Sequence, residues 1–249
     1  MAETEVIPAP PVAGRRLQVR YSTGLSLLGL TSGLVTVDSL IGGLKPETVA
    51  LLTGPEISLQ AAEGYCVRTQ LPAARGGIEG SAFLIDAGNS FDVYLFTSLA
   101  RKYGLEYDLA LSRQLLSRAF TIYELRSLIE DSAVFSLRKP KLLVVSEVFS
   151  LFTDDIDSYE ARRVFRVVAE AVAEVSKREG VPALLTSSRR HELITPILEE
   201  RCSISADIAQ GDGCIRSRLF KHPWKTPGET VVEVGPPHYN QETLHAEVA

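Results

Sequence analysis

Apolar residues run without alternation through four short stretches of the chain: "TVALLTG" (48–54), "SAFLIDAG" (81–88), "KLLVVSE" (141–147) and "PALLTSS" (182–188). Uniform apolarity over five or six residues predicts strands covered on both faces, the habit of parallel sheets. The stretches between them have a different period. Ala161, Val164, Phe165, Val168, Ala171, Val172 and Val175 recur at helical spacing, with Asp157 and Glu160 placed to cap the start and Gly180 to end the run. "YELRSLIEDSAVF" (123–135) predicts a second amphipathic helix and "SFDVYLFTSLARKYG" (90–104) a third, closing at Gly104. Strands alternating with helices predict an α/β fold with a mainly parallel central sheet flanked by helices. Near the C-terminus "GCIRSRLFKH" and "ETVVEV", joined by "PWKTPG", predict an antiparallel extension of that sheet.

The pattern also sets the organisation. Residues 1–16 hold three prolines and no periodicity and are expected to form a flexible arm. A single core is expected over 17–235, followed by a flexible acidic tail over 236–249.

Composition narrows the class. Apolar residues make up 45% of the 249 and charged residues 23%, an ordinary globular balance. No apolar run reaches the roughly 18 residues needed to span a bilayer. The start, "MAETEVIPAPPVAGRR", has no apolar signal core. Cys66, Cys202 and Cys214 form an odd set with no metal-site spacing, which predicts reduced core thiols in a cytoplasmic protein. The net charge of −5 does not support a whole-chain electrostatic grip on nucleic acid. The balance is uneven, because residues 162–225 hold twelve Lys or Arg against eight Asp or Glu. A local basic face is therefore compatible with the sequence.

In an open α/β sheet, ligands bind at the carboxyl ends of the strands. A phosphate loop there follows G-x-x-x-x-G-K-[ST], because backbone N–H groups and a helix N-terminus face the anion while lysine neutralises it. In "GPEISLQA" (54–61), Gly54 opens that frame, but Leu59, Gln60 and Ala61 occupy its last three positions. Gln60 carries no charge, Ala61 has no hydroxyl for magnesium, and no lysine lies between Lys45 and Lys102. The second strand end, "LIDAGNSF", offers Asp86 but places Gly88 and Asn89 at the tip. The third, "LLVVSEVFS", has Ser146 where an aspartate commonly holds magnesium, followed by Glu147. The fourth, "LLTSSRRHE", presents Ser187 and Ser188, expected to be exposed, then Arg189, Arg190 and His191.

The order of these segments resembles the ATPase core of the RecA/RadA recombinases, the archaeal RadA paralogues above all, over about Leu34 to Val234. "VDSLIGGLKPETVALLTGPE" carries it, with Asp38, Leu40, Gly42 and Gly43 matching D-x-L-x-G-G, together with "FLIDAGNSFDVYLFTSLARKYGL", "LLVVSEVFSLF" and "LFKHP". The resemblance implies a RecA-like fold. It also places the family lysine and threonine on Gln60 and Ala61, the catalytic glutamate on Gly88, the magnesium aspartate on Ser146 and the polar sensor on Ser188. A pseudo-ATPase with no bound cofactor or metal is the expectation. By the same resemblance its partners are DNA, bound weakly and salt-sensitively, and a protein, either a catalytic relative or a second copy. Nucleic-acid contact is expected at Arg189, Arg190 and Arg201, with Trp224 as a further contact. Neither a helix-hairpin-helix domain nor an F-x-x-A motif is visible before residue 34, so a recombinase-type filament is not expected. Two alternatives stay open: an interaction subunit without DNA contact, and a residual ATPase.

Overall fold

The computed structural model describes residues 29–152, 158–211 and 214–233. The arm over 1–16, the tail over 236–249 and the expected cap Asp157 lie outside them. The four apolar stretches form strands β1 (Val49–Thr53), β2 (Ala82–Asp86), β4 (Leu142–Ser146) and β5 (Ala183–Ser187), every residue of which is buried. With β3 (Leu115–Arg118), β6 (Ile204–Gly211), β7 (Cys214–Lys221) and β8 (Gly228–Glu233) they make one sheet in the order β3-β2-β4-β5-β1-β6-β7-β8. The first six strands in chain order run parallel, while β7 and β8 return antiparallel as expected.

Because successive strand residues point to opposite faces, the sheet feeds two cores. Leu51, Phe83, Val145 and Leu185 join the core beneath α5 (Ile122–Glu130), α6 (Ser132–Arg138), α7 (Ser158–Glu179) and α8 (Thr195–Arg201). Their neighbours Leu52, Leu84, Val144 and Leu184 face α1 (Val35–Ile41), α2 (Ile57–Thr69), α3 (Val93–Lys102) and α4 (Tyr107–Arg113). Burial on both faces explains the absence of alternation in the sequence.

Helix ends follow local chemistry. Asp92 caps α3, its carboxylate accepting from the N–H groups of Tyr94 and Leu95 at 2.9 and 3.2 Å. Thr121 and Glu124 form a reciprocal capping box on α5. The single helix expected over 123–135 is two, broken at Asp131. That residue leaves helical geometry (φ −65°, ψ 93°) and its carboxylate accepts from the Ala133 N–H at 2.9 Å, so it begins α6 instead of continuing α5. α7 ends before Gly180, whose φ of 65° suits glycine.

Candidate functional site at the carboxyl ends of the strands

β1 delivers the chain to Gly54. A Cβ there would lie 2.0 Å from the Ile208 carbonyl oxygen on β6, and φ is +136°, so glycine alone fits without a shift. Two residues on, Glu56 adopts φ 56° and ψ −50°, and the Ile57 N–H donates back to the Pro55 carbonyl at 2.5 Å. This is a positive-φ γ-turn, a rare and strained geometry. α2 then begins at once, at the fourth residue of the eight-residue frame. The Gln60 N–H donates to the Glu56 carbonyl at 2.9 Å, and the Ser58 hydroxyl donates to the Gly54 carbonyl at 2.5 Å. A phosphate cradle needs such donors turned outward; here three of them close the loop on itself. Ala61 is buried, while Leu59 and Gln60 are half-buried.

At the end of β2, Asp86 organises the next loop. Its carboxylate accepts from the Ser90 N–H at 2.9 Å, the Phe91 N–H at 3.0 Å, the Ser90 hydroxyl at 3.0 Å and the Ser146 hydroxyl at 3.2 Å. Burial opposes its ionisation, but these hydrogen bonds outweigh burial and hold its pKa below the ordinary value. Ser146, where the resemblance places a magnesium aspartate, is thus a buried donor to Asp86.

Glu147 follows in the left-handed region, at φ 54°. Its carboxylate accepts from the Ser188 N–H at 2.7 Å and from the Ser188 hydroxyl at 3.1 Å, tying the ends of β4 and β5 together. Burial pushes its pKa up, against the pull of those bonds. Its stem fills the space beside Gly88, where an added Cβ would meet the Glu147 Cβ at 2.5 Å and Cγ at 2.8 Å. Ser187, expected to be exposed, is fully buried because β5 lies between two strands and under helices on both faces; Ser188 is half-buried. The Ser150 hydroxyl lies 2.6 Å from the Ala87 carbonyl and 2.7 Å from the Glu147 carbonyl, closing the same corner.

The expected nucleic-acid residues are not brought together. Arg189 is exposed at the carboxyl end of β5. Arg190 turns back instead: its Nη2 lies 2.6 Å from Glu199 Oε1 and its guanidinium sits 3.9 Å from the centre of the Phe220 ring. Arg201, at the far end of α8, pairs with Glu170 at 2.9 Å. Trp224 lies at the opposite end of the sheet, beyond the β7 terminus that pairs with the start of β6. There it is exposed, with the Lys45 ammonium 4.2 Å above its ring. Lys225 donates to the Ser39 and Leu40 carbonyls at 2.8 and 3.0 Å, and His222 Nε2 contacts the Ile41 carbonyl at 2.9 Å, so this loop closes the C-terminus of α1. Of the three thiols, Cys66 and Cys202 are core residues, while Cys214 is half-exposed near the β6–β7 turn.

Two buried charged residues on α2 carry no mark in the sequence. Glu63 accepts from the Asp92 N–H at 2.7 Å, and burial pushes its pKa up to about 9, helped by the charges of Asp92 and Asp86. Arg68 is fully buried; its Nε–H donates to the Thr31 carbonyl at 3.0 Å and its guanidinium lies 5.2 Å from the Tyr103 ring centre. Nearby Asp38, from the D-x-L-x-G-G segment, accepts from the Ser32 and Gly33 N–H groups at 2.8 and 2.9 Å. That part of the resemblance is a loop-pinning device.

A mainly parallel sheet with helices on both faces, a glycine turn from β1 into a helix and antiparallel strands at the C-terminal end define a RecA-like α/β protein. A profile of the Rad51 family matches residues 24–164, more than half of the chain, and the chain belongs to that family. It is 28% identical over 133 residues to the DNA repair protein RAD51 of Mycosarcoma maydis, covering 52% of this chain and 39% of the relative. The meiotic recombination protein DMC1 homolog of Lilium longiflorum is 27% identical over 166 residues, 62% of this chain and 48% of the relative. The DNA repair protein RAD51 of Saccharomyces cerevisiae is 30% identical over 133 residues, 52% and 33% of the two chains. The matches thus span a third to a half of these relatives' length. No helix among the described residues is long and apolar enough to cross a membrane.

Proposed function

We propose that this chain is a non-catalytic member of the Rad51 family that serves DNA recombination or repair by binding DNA, a protein partner, or both. The relatives' names supply the setting, and the packing at Gly88 carries the non-catalytic reading. The resemblance places a water-activating carboxylate there, yet the stem of Glu147 fills the space that carboxylate would need. The inward-turned loop at Gly54–Gln60 supports the same reading. So does the self-sufficiency of the strand ends: Asp86, Glu147 and Ser150 hold the adjoining loops with the chain's own hydrogen bonds. Asp86 and Glu147, the carboxylates a residual ATPase would draw on, are committed to these contacts.

Calorimetric titration with Mg-ATP tests this. Binding weaker than about 10 μM, roughly −7 kcal/mol, is expected, and a tighter constant would overturn the reading. The triple replacement L59G/Q60K/A61T should not restore hydrolysis, because Gly88 and Ser146 still provide no carboxylate for the water or the magnesium. Steady phosphate release from that variant above the wild-type background would show that chemistry survives elsewhere in the site.

A second reading, an interaction subunit that never touches DNA, is favoured by one observation. Glu199 and Glu170 neutralise two of the three arginines expected to meet DNA. Anisotropy with labelled oligonucleotides separates the two readings.

A further inference from the structure

β8 closes the antiparallel end of the sheet, and its outer edge meets no other strand among the described residues. Exposed edges are usually protected by brevity, lysine, proline, a bulge or an unpaired charge. β8 runs for six residues, Gly228–Glu233, without lysine or proline, and its pairing with β7 shows no shift of register. Thr230, Val231 and Val232 all favour strands. The carboxylate of Glu229 is neutralised by Arg216 at 3.1 Å. Val231 and Val232 point to opposite faces of the sheet and are 51% and 53% exposed. Valines on both faces of an edge with free backbone donors and acceptors fit an added strand.

The residues of β8 match a second β8. Antiparallel addition about a two-fold axis perpendicular to the sheet sets each residue opposite one on the same face. With the axis at Thr230, Thr230 faces Thr230 of the other copy, Glu229 faces Val231 and Gly228 faces Val232. The threonine pair is a favourable cross-strand match, and the bare backbone of Gly228 leaves room for Val232. No like charges stand opposite one another. Within the chain Arg218 lies across from Glu229 and Arg216 across from Val231. One row of the joined face therefore reads Arg218, Glu229, Val231, Arg216, and the next row carries the same four reversed. Two glutamates are held among four arginines.

We propose that β8 is the docking edge for a second copy of this chain, joined by antiparallel strand addition into one continuous sheet. This rests on the protein-partner arm of the function proposed above and gives that arm a surface and an occupant. Pairing along one short strand buries little area beside the roughly 1,000 Å² of a stable interface, so the dimer is weak and forms as concentration rises.

Sedimentation velocity of the full chain from about 2 to 200 μM, the weak end of protein association, should show a reversible monomer–dimer equilibrium. V231K/V232K sets a charge on each face of the edge and should weaken dimerisation about tenfold or more, with an unchanged melting curve at the lowest concentration. Register is read by cross-linking in a Cys214→Ser background, where the remaining thiols, Cys66 and Cys202, are buried. With Thr230→Cys the two Cα atoms lie about 4.5–5.5 Å apart across the axis, and mild oxidation should link the dimer. With Glu229→Cys the two positions are diagonal, about 7–8 Å apart, and should stay largely unlinked. A wild type that is monomeric throughout overturns the proposal and leaves DNA, or a partner of different sequence, to the proposed function. A dimer that persists in V231K/V232K, or that links no better through Thr230→Cys than through Glu229→Cys, also overturns it and places the interface elsewhere. The Mg-ATP titration is independent of these outcomes, so failure of the non-catalytic reading is seen separately.

Discussion

Glu63 shows at the scale of one residue what the fold tolerates. It is 3% exposed, and its pKa rises from 4.5 to about 9 chiefly through burial. The folded protein therefore keeps a proton that the unfolded chain releases above about pH 4.5, and its stability falls as pH rises from there towards 9. Glu63→Gln removes this dependence while keeping an oxygen for the Asp92 N–H. The variant should melt higher than the wild type at pH 8, by roughly 2–4 kcal/mol in stability, and show little difference near pH 4.5. Melting curves that shift in parallel at all pH values would refute the assignment. Gly88 and Gly54 make the opposite point. Gly88→Ala drives a methyl to 2.5 Å from the Glu147 side chain and should cost about 1–3 kcal/mol in urea denaturation, the range for overpacking. The resemblance places a carboxylate at Gly88, whereas the packing shows that any side chain there would have to move Glu147.

At the scale of elements, legibility followed burial. The four strands covered on both faces announce themselves because nothing polar interrupts them. β3, with alternating exposure over four edge residues, does not, and β6 hides because its apolar positions Ile204, Ala206 and Ile208 alternate with polar ones. α2 is legible as a helix but not as a site. Eleven of its thirteen residues are buried, so no polar face separates Glu63 and Arg68 from solvent-facing charges. The break between α5 and α6 was written in Asp131, a strong cap, but a continuous apolar period overrode it. Caps of this kind carry measurable stability. Thr121→Ala removes one half of the α5 capping box and should cost about 1 kcal/mol, read as a lower urea midpoint with an unchanged m-value. No loss would mean that tertiary packing alone fixes the start of α5.

For the whole molecule, a ligand that binds only the folded state raises its melting temperature in proportion to RT ln(1 + [L]/Kd). Millimolar Mg-ATP should leave the melting curve of this protein in place, and an upward shift of several degrees would reveal a working nucleotide site. The class of architecture was readable in advance, because the alternation of buried strands with helices follows broad apolar patterns. The carboxyl-end contacts were not, since they join residues far apart in the chain, as Glu147 and Ser188 do across 41 positions. That contact has a further consequence. A carboxylate carried on the neighbouring strand confronts Ser188 at an effective concentration on the order of millimolar or above, as for any short tether. A dissolved metabolite would have to outcompete it continuously. On the proposed non-catalytic reading, the setting of the loop after β5 rests on this internal contact and not on the supply of small molecules.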